Sequence, residues 1–158
     1  MCYCFRVGLI RQGLCHDLSK YSPAEFWPGA RYYKGNRSPN TAQRVMEGFS
    51  SAWMHHKGRN RHHFEYWTDL QPGREGYCPL PMPRKYLVES VMDRIAASKV
   101  YKGKDYTPAY VLEYLERGVE AKLMHPQTHE DLKMILTMLR DRGEKKTFSW
   151  LRRVYLKG

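Results

Sequence analysis

Histidine is concentrated in one short stretch of this chain, and that concentration limits how the chain can fold. Four of the seven histidines lie between residues 55 and 63, as the pairs His55-His56 and His62-His63. A buried imidazole without a partner costs free energy, so a fold that encloses several of them must supply a shared ion or a polar network. Because neutral imidazole is a common ligand of zinc, iron, manganese and nickel, the stretch predicts a metal site. Any single one of these histidines has an alternative interpretation as a hydrogen-bonded core residue.

A histidine and an aspartate lie side by side at the end of an N-terminal apolar stretch, as His16 and Asp17. Successive residues of a helix point about 100° apart, so this dipeptide is not a helical surface pair of the (i, i+4) kind. The two side chains can still converge on an ion that lies between their directions. Lys20 follows three residues after Asp17 and can reach over such an ion toward a phosphate oxygen as a point charge.

A further carboxylate is available on a predicted helix over residues 84–102, which is apolar around most of its circumference. Asp93 shares one face of that helix with Glu89, Ala96 and Ala97, and the two alanines leave room for an ion. An ionised aspartate on a mostly buried helix needs a cationic partner, and a metal ion is one candidate. The alternative is a buried ion pair between Asp93 and a distant arginine.

The chain has a formal net charge of +11, spread along its length and densest at residues 57–61 and 140–157. A basic surface attracts nucleic acid, nucleotides or other phosphorylated partners, and the alternative is a solvated surface without a partner. The composition is 42% hydrophobic and 27% charged, as in folded soluble proteins. The four cysteines form no CxxC pair, and neither a membrane-length apolar run nor a secretion signal is present. We therefore expect a reduced, cytoplasmic protein with no membrane partner.

Helical spacing dominates the sequence, so the prediction is an all-α, single-domain helical bundle over residues 1–158. The predicted helices cover about 2–15, 23–33, 41–57, 84–102, 108–125, 127–142 and 146–156, with a turn at 36–39 and a helical turn within 62–67. The stretch 68–83, rich in proline and glycine, is expected to be an irregular loop of the kind that often forms a lid. The predicted inner residues of helix 41–57 are Val45, Met46, Phe49, Ala52 and Trp53.

The His16-Asp17 pair, the later histidine-rich stretch and Asp93 on a downstream helix resemble the HD superfamily of metal-dependent phosphohydrolases. The resemblance implies an HD-domain-like helical bundle in which His16, Asp17 and Asp93 hold a first metal ion. In some branches of the superfamily, additional histidines hold a second ion. The run H-D-L-S-K ending at Lys20 also matches the H-D-x-x-K form, in which the lysine contacts substrate phosphate.

Three longer runs resemble a family of small uncharacterised bacterial and phage proteins over about residues 3–110. The runs are H-D-L-S-K-Y-S-P-x-E-F, H-H-K-G-R-N-x-H-H-x-E-Y-W and D-R-I-A-A-S-K-V-Y-x-G-K-D-Y-T. That family has no established substrate, so it adds no activity to the prediction.

One ligand of the HD pattern has no counterpart in this sequence. The pattern begins with a histidine upstream of the His-Asp pair, whereas the 15 residues before His16 contain none. Either the N-terminal helix is truncated in this chain, or the site has lost a ligand whose place a water or a nearby histidine must take. Because each protein ligand is preorganised and a replacement water is not, we expect weak metal binding.

The leading prediction is a metal-dependent phosphohydrolase that acts on a nucleotide or another phosphorylated substrate, with a divalent ion (Mn, Fe, Zn, Ni or Mg) as cofactor. The expected metal ligands are His16, Asp17, His55, His56, His62, His63 and Asp93, and the sequence does not decide between the members of each histidine pair. Asp17 and Lys20 are the expected catalytic residues. The side chains expected to contact phosphate are Lys20, Lys57, Arg59 and Arg61. Glu25 or Glu65 is a candidate for orienting a histidine or a water, and the alternative for each of them is a surface acid.

Two other functions are consistent with the sequence. The first is a nucleic-acid-binding module with structural histidines, in which interleaved basic and aromatic residues near 59–67 and 150–155 contact phosphates and stack on bases. The second is a degenerate HD fold that binds another protein. Metal-dependent release of phosphate would favour the hydrolase, whereas salt-dependent binding of DNA or RNA without turnover would favour the first alternative.

Overall fold

Helices make up most of the chain in the computed structural model, which describes residues 2–35 and 37–158. Within these ranges there are eight α-helices: α1 (Cys2–Arg6), α2 (Ile10–Cys15), α3 (Pro23–Arg31), α4 (Pro39–Glu47), α5 (Ser51–Lys57), α6 (Arg84–Lys102), α7 (Pro108–Arg117) and α8 (Pro126–Trp150). The prediction of an all-α fold is confirmed. No helix among the described residues combines the length and the apolar character that crossing a bilayer requires.

Helix α6 is the central element, and its ends follow from the sequence. Pro83 precedes its first turn, where a missing N–H is tolerated, and Gly103 ends it with a positive φ of 54°. The helix is buried along most of its length and packs against α1, α7 and α8. Its apolar side chains meet those of α8 in one core, in which Ile95 and Ile135 are fully buried.

Helices α3, α4 and α5 form a second group that packs together beside this core. Proline at the first turn of α3 and α4 starts both helices, since the first turn has no internal partner for an N–H group. The Ser50 hydroxyl caps α5 by accepting a hydrogen bond from the Trp53 N–H at 3.1 Å. The group carries Glu25 on α3 and the first histidine pair at the end of α5.

Two predicted helices are each divided by a glycine with positive φ. The expected helix 2–15 is interrupted at Gly8 (φ 86°), and the expected helix 41–57 at Gly48 (φ 81°). The second interruption changes the direction of the chain, so the predicted inner face of helix 41–57 is wrong for most of its residues. Val45, Met46 and Phe49 are exposed, whereas only Ala52 is buried and Trp53 is half-buried.

Other differences from the prediction lie outside the site. The stretch 68–83 contains an antiparallel hairpin, β1 (Thr68–Leu70) and β2 (Tyr77–Pro79), with Asp69 opposite Cys78. Helix α7 ends at Arg117, earlier than predicted. The two helices predicted near 127–142 and 146–156 are confirmed as two helical segments that meet at a kink within α8, where Gly143 has a non-helical φ of 71° and ψ of 172°. A π-helical turn follows at Leu151–Tyr155. A 3₁₀ turn at Phe64–Tyr66 confirms the helical turn expected within 62–67. The turn predicted at 36–39 includes Asn36, which lies outside the described residues.

Candidate metal centre

A left-handed residue explains how two adjacent side chains can face one point. His16 ends α2, and Asp17 has φ 58° and ψ 22°, the only positive φ of a non-glycine residue within 2–35 and 37–158. Aspartate is one of the few residues that adopt this conformation readily. The chain therefore leaves the helix at this dipeptide, and both side chains turn toward α6 and the second histidine pair.

Asp17 and three histidines form the first of two ligand groups, here called the four-residue group. One ligand atom from each of Asp17, His56, His62 and His63 lies within 4.8 Å of the others. Asp17 Oδ1 is 3.3 Å from His56 Nε2 and 3.5 Å from His62 Nε2. His56 Nε2 and His63 Nε2 are 2.9 Å apart. A carboxylate oxygen and three imidazole nitrogens at one point match the donor types of a transition-metal site.

The second, three-residue group consists of His16, His62 and Asp93, and it shares His62 with the first. His16 Nε2 lies 3.3 Å from Asp93 Oδ1 and 3.4 Å from Asp17 Oδ2. The carboxylate of Asp17 thus has one oxygen toward each group.

Two buried glutamates contact the outward nitrogens of the histidines. Glu25 lies 2.7 Å from Nδ1 of His55 and 2.7 Å from Nδ1 of His56. Glu89 Oε1 lies 3.0 Å from Nδ1 of His16 and 3.4 Å from Nδ1 of His62. A carboxylate at Nδ1 favours the tautomer that carries its proton there, which leaves the Nε2 lone pair free to bind a metal.

Two atoms at the centre of the site lack hydrogen bonds. Asp17 Oδ1 and His62 Nε2 are both buried, and neither has a hydrogen-bond partner among residues 2–35 and 37–158. A buried acceptor left without a partner costs about 1–3 kcal/mol, so such atoms are rare in folded proteins. Both are free ligand atoms directed to the same place, and the residues present therefore fit a bound cation.

The charge state of two of the histidines, His56 and His63, also suits a cation. Burial, together with the neighbouring His62 and His56, lowers the pKa of His63 to about 2. Burial also lowers the pKa of His56, despite the attraction of Asp17 and Glu25. His56 and His63 are therefore neutral near pH 7, the form that ligates metals. Burial alone would lower the pKa of His16, but hydrogen bonds with Asp93 and Glu89 raise it to about 9.

The structure separates the predicted site residues into those that converge and those that do not. His55 contacts Glu25 and is in neither ligand group, so of the first pair only His56 converges with Asp17. Lys20 forms an ion pair with Asp17 and lines a cavity together with Glu25 and His56.

The other predicted phosphate contacts lie elsewhere. Arg59 and Arg61 border a different cavity, beside His62, and Lys57 is the last residue of α5. Arg59 donates to the His55 carbonyl at 3.3 Å, and Arg61 donates to the Tyr86 hydroxyl at 3.1 Å.

Sequence reasoning missed Glu89 as a site residue and left Glu25 undecided. The signal for Glu89 was its position four residues before Asp93, since (i, i+4) places both carboxylates on one helix face. Of the two glutamates expected to orient a histidine, Glu25 does so, whereas Glu65 lines an apolar cavity beside the site. The sequence also allowed a distant arginine as the partner of Asp93. In the structure, Asp93 forms its hydrogen bond with His16.

The sequence matches the model of a family of unknown function, DUF5662, over residues 1–138. The chain belongs to DUF5662. The matched region of this DUF5662 chain includes both ligand groups, from His16 to Asp93. No curated protein and no solved structure matches the chain.

Proposed function

We propose that this chain is a metal-dependent phosphohydrolase with an HD-like arrangement of ligands. The observation that carries the proposal is the convergence of Asp17 Oδ1 with the Nε2 atoms of His56 and His62, two of these three atoms having no other partner among the described residues. Asp17, His56, His62 and His63 would hold one divalent ion, and His16 and Asp93 would complete a second position beside it. Three imidazoles and one carboxylate favour zinc, iron, manganese or nickel over magnesium.

A divalent ion held there would lower the pKa of a bound water and polarise a phosphoryl oxygen. The chain's own residues orient the reactants. Glu25 and Glu89 fix the imidazole rings through their Nδ1 atoms, which keeps the Nε2 atoms directed inward. Lys20 is more than half exposed at the edge of Asp17, and its charge can neutralise a phosphate oxygen in the adjoining cavity.

The order of ligands along the chain supports the HD comparison. A His-Asp pair, a histidine cluster and an aspartate on the central helix follow one another, as in that superfamily. His62 would take the place of the absent upstream histidine, because it belongs to both ligand groups.

Nucleic-acid binding is the second candidate, and one observation favours it. Four basic side chains, Arg11, Arg59, Arg61 and Lys85, border the cavity that also contains His62 and Glu89. A cluster of this kind could contact several phosphates of one strand.

The two candidates differ in turnover. Protein purified without chelator should contain a transition metal by mass spectrometry, and should release inorganic phosphate from a panel of phosphomonoesters and nucleotides. Chelation should abolish release, and re-addition of the metal should restore it. Retention of single-stranded oligonucleotides at low salt with no phosphate release by the metal-loaded protein would instead support nucleic-acid binding.

Asp17→Asn tests the site within the same assay. Asparagine also tolerates a positive φ, so this substitution removes the charge without straining the backbone. We expect it to lose both metal and activity. Asp141→Asn is the matched control, since Asp141 is an exposed carboxylate paired with Arg140, and it should change neither. Equal metal content in Asp17→Asn and wild type would overturn the proposal.

A further inference from the structure

A small cavity opens beside the metal centre. Its volume is about 200 Å³, and it reaches the ligand His63 and the ligand Asp93. Pockets that hold drug-sized ligands measure about 300–1,000 Å³, so this one fits a single ring system and not a large molecule. Whatever occupies it lies next to the position proposed for the reacting phosphate.

Five aromatic side chains line this cavity. They come from four elements, namely α5, the 3₁₀ turn at Phe64–Tyr66, α6 and α7: Trp53, Phe64, Tyr101, Tyr110 and Tyr114. The Trp53 ring is held in place by His63, with ring centroids 4.7 Å apart. Such a lining offers π-faces on which a planar ring stacks.

Two buried polar atoms belong to residues of the same lining. Arg94 Nε is a donor and Glu65 Oε2 is an acceptor, and neither has a hydrogen-bond partner among the residues that the structure describes. The guanidinium of Arg94 is fixed by Glu120, whose Oε2 accepts from Nη2 at 2.7 Å. A ligand in this cavity can therefore gain one hydrogen bond from a rigid donor and give one to a carboxylate.

We propose that this cavity binds the heteroaromatic base of a mononucleotide, with the phosphate at the metal centre. This inference rests on the proposed phosphohydrolase function and narrows its substrate class. A nucleobase has a flat face that can stack on the aromatic rings of the lining. Its edge carries adjacent donor and acceptor groups, which can pair with Glu65 and Arg94. Sugar phosphates and polyol phosphates have no such face.

The position of Tyr101 connects the two halves of this substrate. Tyr101 lines the base cavity and also the cavity that contains Lys20 and His56. The two cavities therefore adjoin, and the ligand groups lie between their walls: His63 and Asp93 face one, and His56 faces the other. A base in the first cavity and a phosphate near Lys20 are compatible with a single bound molecule.

Calorimetric titration of adenosine, guanosine, cytidine and uridine into the metal-loaded protein tests the base cavity without the phosphate. At least one nucleoside should bind in the millimolar range or tighter. Ala97→Leu fills the cavity from α6 and should weaken that binding about tenfold or more. Ala96→Leu, at the half-buried neighbouring position outside the lining, is the matched control and should bind nucleoside like the wild type.

Glu65→Gln provides a second variant that keeps the side-chain volume. It turns a pure acceptor into a group that also donates, so the preference among the four nucleosides should change. A structural role alone would weaken all four equally. The proposal would be overturned if the wild type bound no nucleoside, or if Ala97→Leu and Ala96→Leu bound nucleoside equally well. Binding of oligonucleotides but of no nucleoside would also overturn it.

Glycerol phosphate separates this inference from the function on which it rests, because it has a phosphate but no ring. Metal-dependent hydrolysis of glycerol phosphate by a protein that binds no nucleoside would retain the phosphohydrolase and reject the base cavity. Nucleoside binding that Ala97→Leu abolishes, in a metal-loaded protein that hydrolyses no phosphate ester, would retain the cavity and reject the hydrolase.

Discussion

The Nε2 atoms of His56 and His63 lie 2.9 Å apart in the centre of the site, while Glu25 contacts Nδ1 of His56 at 2.7 Å. Because His56 carries a proton on Nδ1 and its Nε2 atom faces that of His63, adding a further proton to either ring is unfavourable. His63 is correspondingly held neutral, with a pKa of about 2 as a result of burial and its histidine neighbours. The free energy of unfolding of the metal-free chain should therefore depend on pH through the protonation of the histidines in this site.

We predict that the metal-free chain is most stable near pH 6.5. The unfolded chain binds a proton at His63 below its ordinary pKa of 6.5 and the folded chain does not, so stability falls as the pH drops below 6.5. His16 is the opposite case, because its folded pKa is about 9. Its contribution is complete below pH 6.5 and is lost as the pH rises from 6.5 toward 9.

Urea denaturation in the presence of a chelator, at pH 5, 6.5 and 8.5, measures this dependence. Each proton contributes a slope of at most about 1.4 kcal/mol per pH unit. His16→Gln should remove the decline above pH 6.5 while the decline below it persists. A wild-type stability that rises steadily between pH 6.5 and 8.5 would contradict the assignment of His16.

Glu25→Gln should lower metal affinity by about 10–100-fold, because Glu25 orients His56 without being a ligand itself. Zinc titration with a competing chelator measures the loss. Glu144→Gln is the matched control: Glu144 is also a well-paired carboxylate, bonded to Lys99 at 2.6 Å, but it belongs to neither ligand group. The same loss of affinity in both variants would show that the effect is not specific to the histidine contact.

Lys20→Met should raise the KM for phosphate esters and leave the melting temperature nearly unchanged. The lysine side chain is 60% exposed, and exposed ion pairs contribute about 0–1 kcal/mol to stability. Steady-state kinetics and thermal denaturation, both on metal-loaded protein, measure the two effects. A large drop in melting temperature at unchanged KM would make Lys20 a structural partner of Asp17.

Gly13→Ala should weaken metal binding although Gly13 belongs to neither ligand group. A Cβ at this position would lie 2.6 Å from Phe5 Cε1 and 3.0 Å from Cys4 Cβ, so α2 would have to move away from α1. Helix α2 carries His16 at its end, and a small displacement of a ligand is enough to lower affinity. We also expect destabilisation of about 1–3 kcal/mol.

Gly29→Ala is the control for that substitution, because Gly29 lies within α3 and a Cβ there would meet nothing within 4 Å. It should bind metal like the wild type and be slightly more stable, since alanine favours a helix over glycine by about 0.8–1.0 kcal/mol. Zinc titration and thermal denaturation of the two variants, side by side, test the pair. Wild-type affinity in Gly13→Ala would mean that the α1–α2 contact does not position His16.

Much of the helical architecture follows from local signals, and its errors have local causes. Helix α6 agrees with the prediction over 84–102 because Pro83 and Gly103 mark its ends. The prediction that Val45 and Met46 face the core is wrong, because helical periodicity predicts a buried face only while the helix is continuous. Gly48 ends that continuity through its positive φ, which sequence periodicity does not reveal.

The sequence predicts which residues form the site better than it predicts how they are arranged. Residue chemistry alone drew attention to His16, Asp17 and Asp93, which the structure brings together. The contact of Glu25 with both His55 and His56 depends on how α3 packs against α5, and no periodic pattern encodes that packing. The same packing of α3 against α5 decides that His56, and not His55, converges with Asp17.

The sequence separation of the contacts in the site has a consequence for the newly made chain. His16 and Asp93 hydrogen-bond across 77 positions, and the remaining histidines lie between them. At synthesis rates of about 5–20 residues per second, roughly 4–15 s pass between translation of the first and last of these residues. A nascent chain that ends before α6 already contains the four-residue group but lacks Asp93 and Glu89, so the three-residue group cannot form as the early helices emerge. The complete site can form only after α6 has left the ribosome and packed beside them.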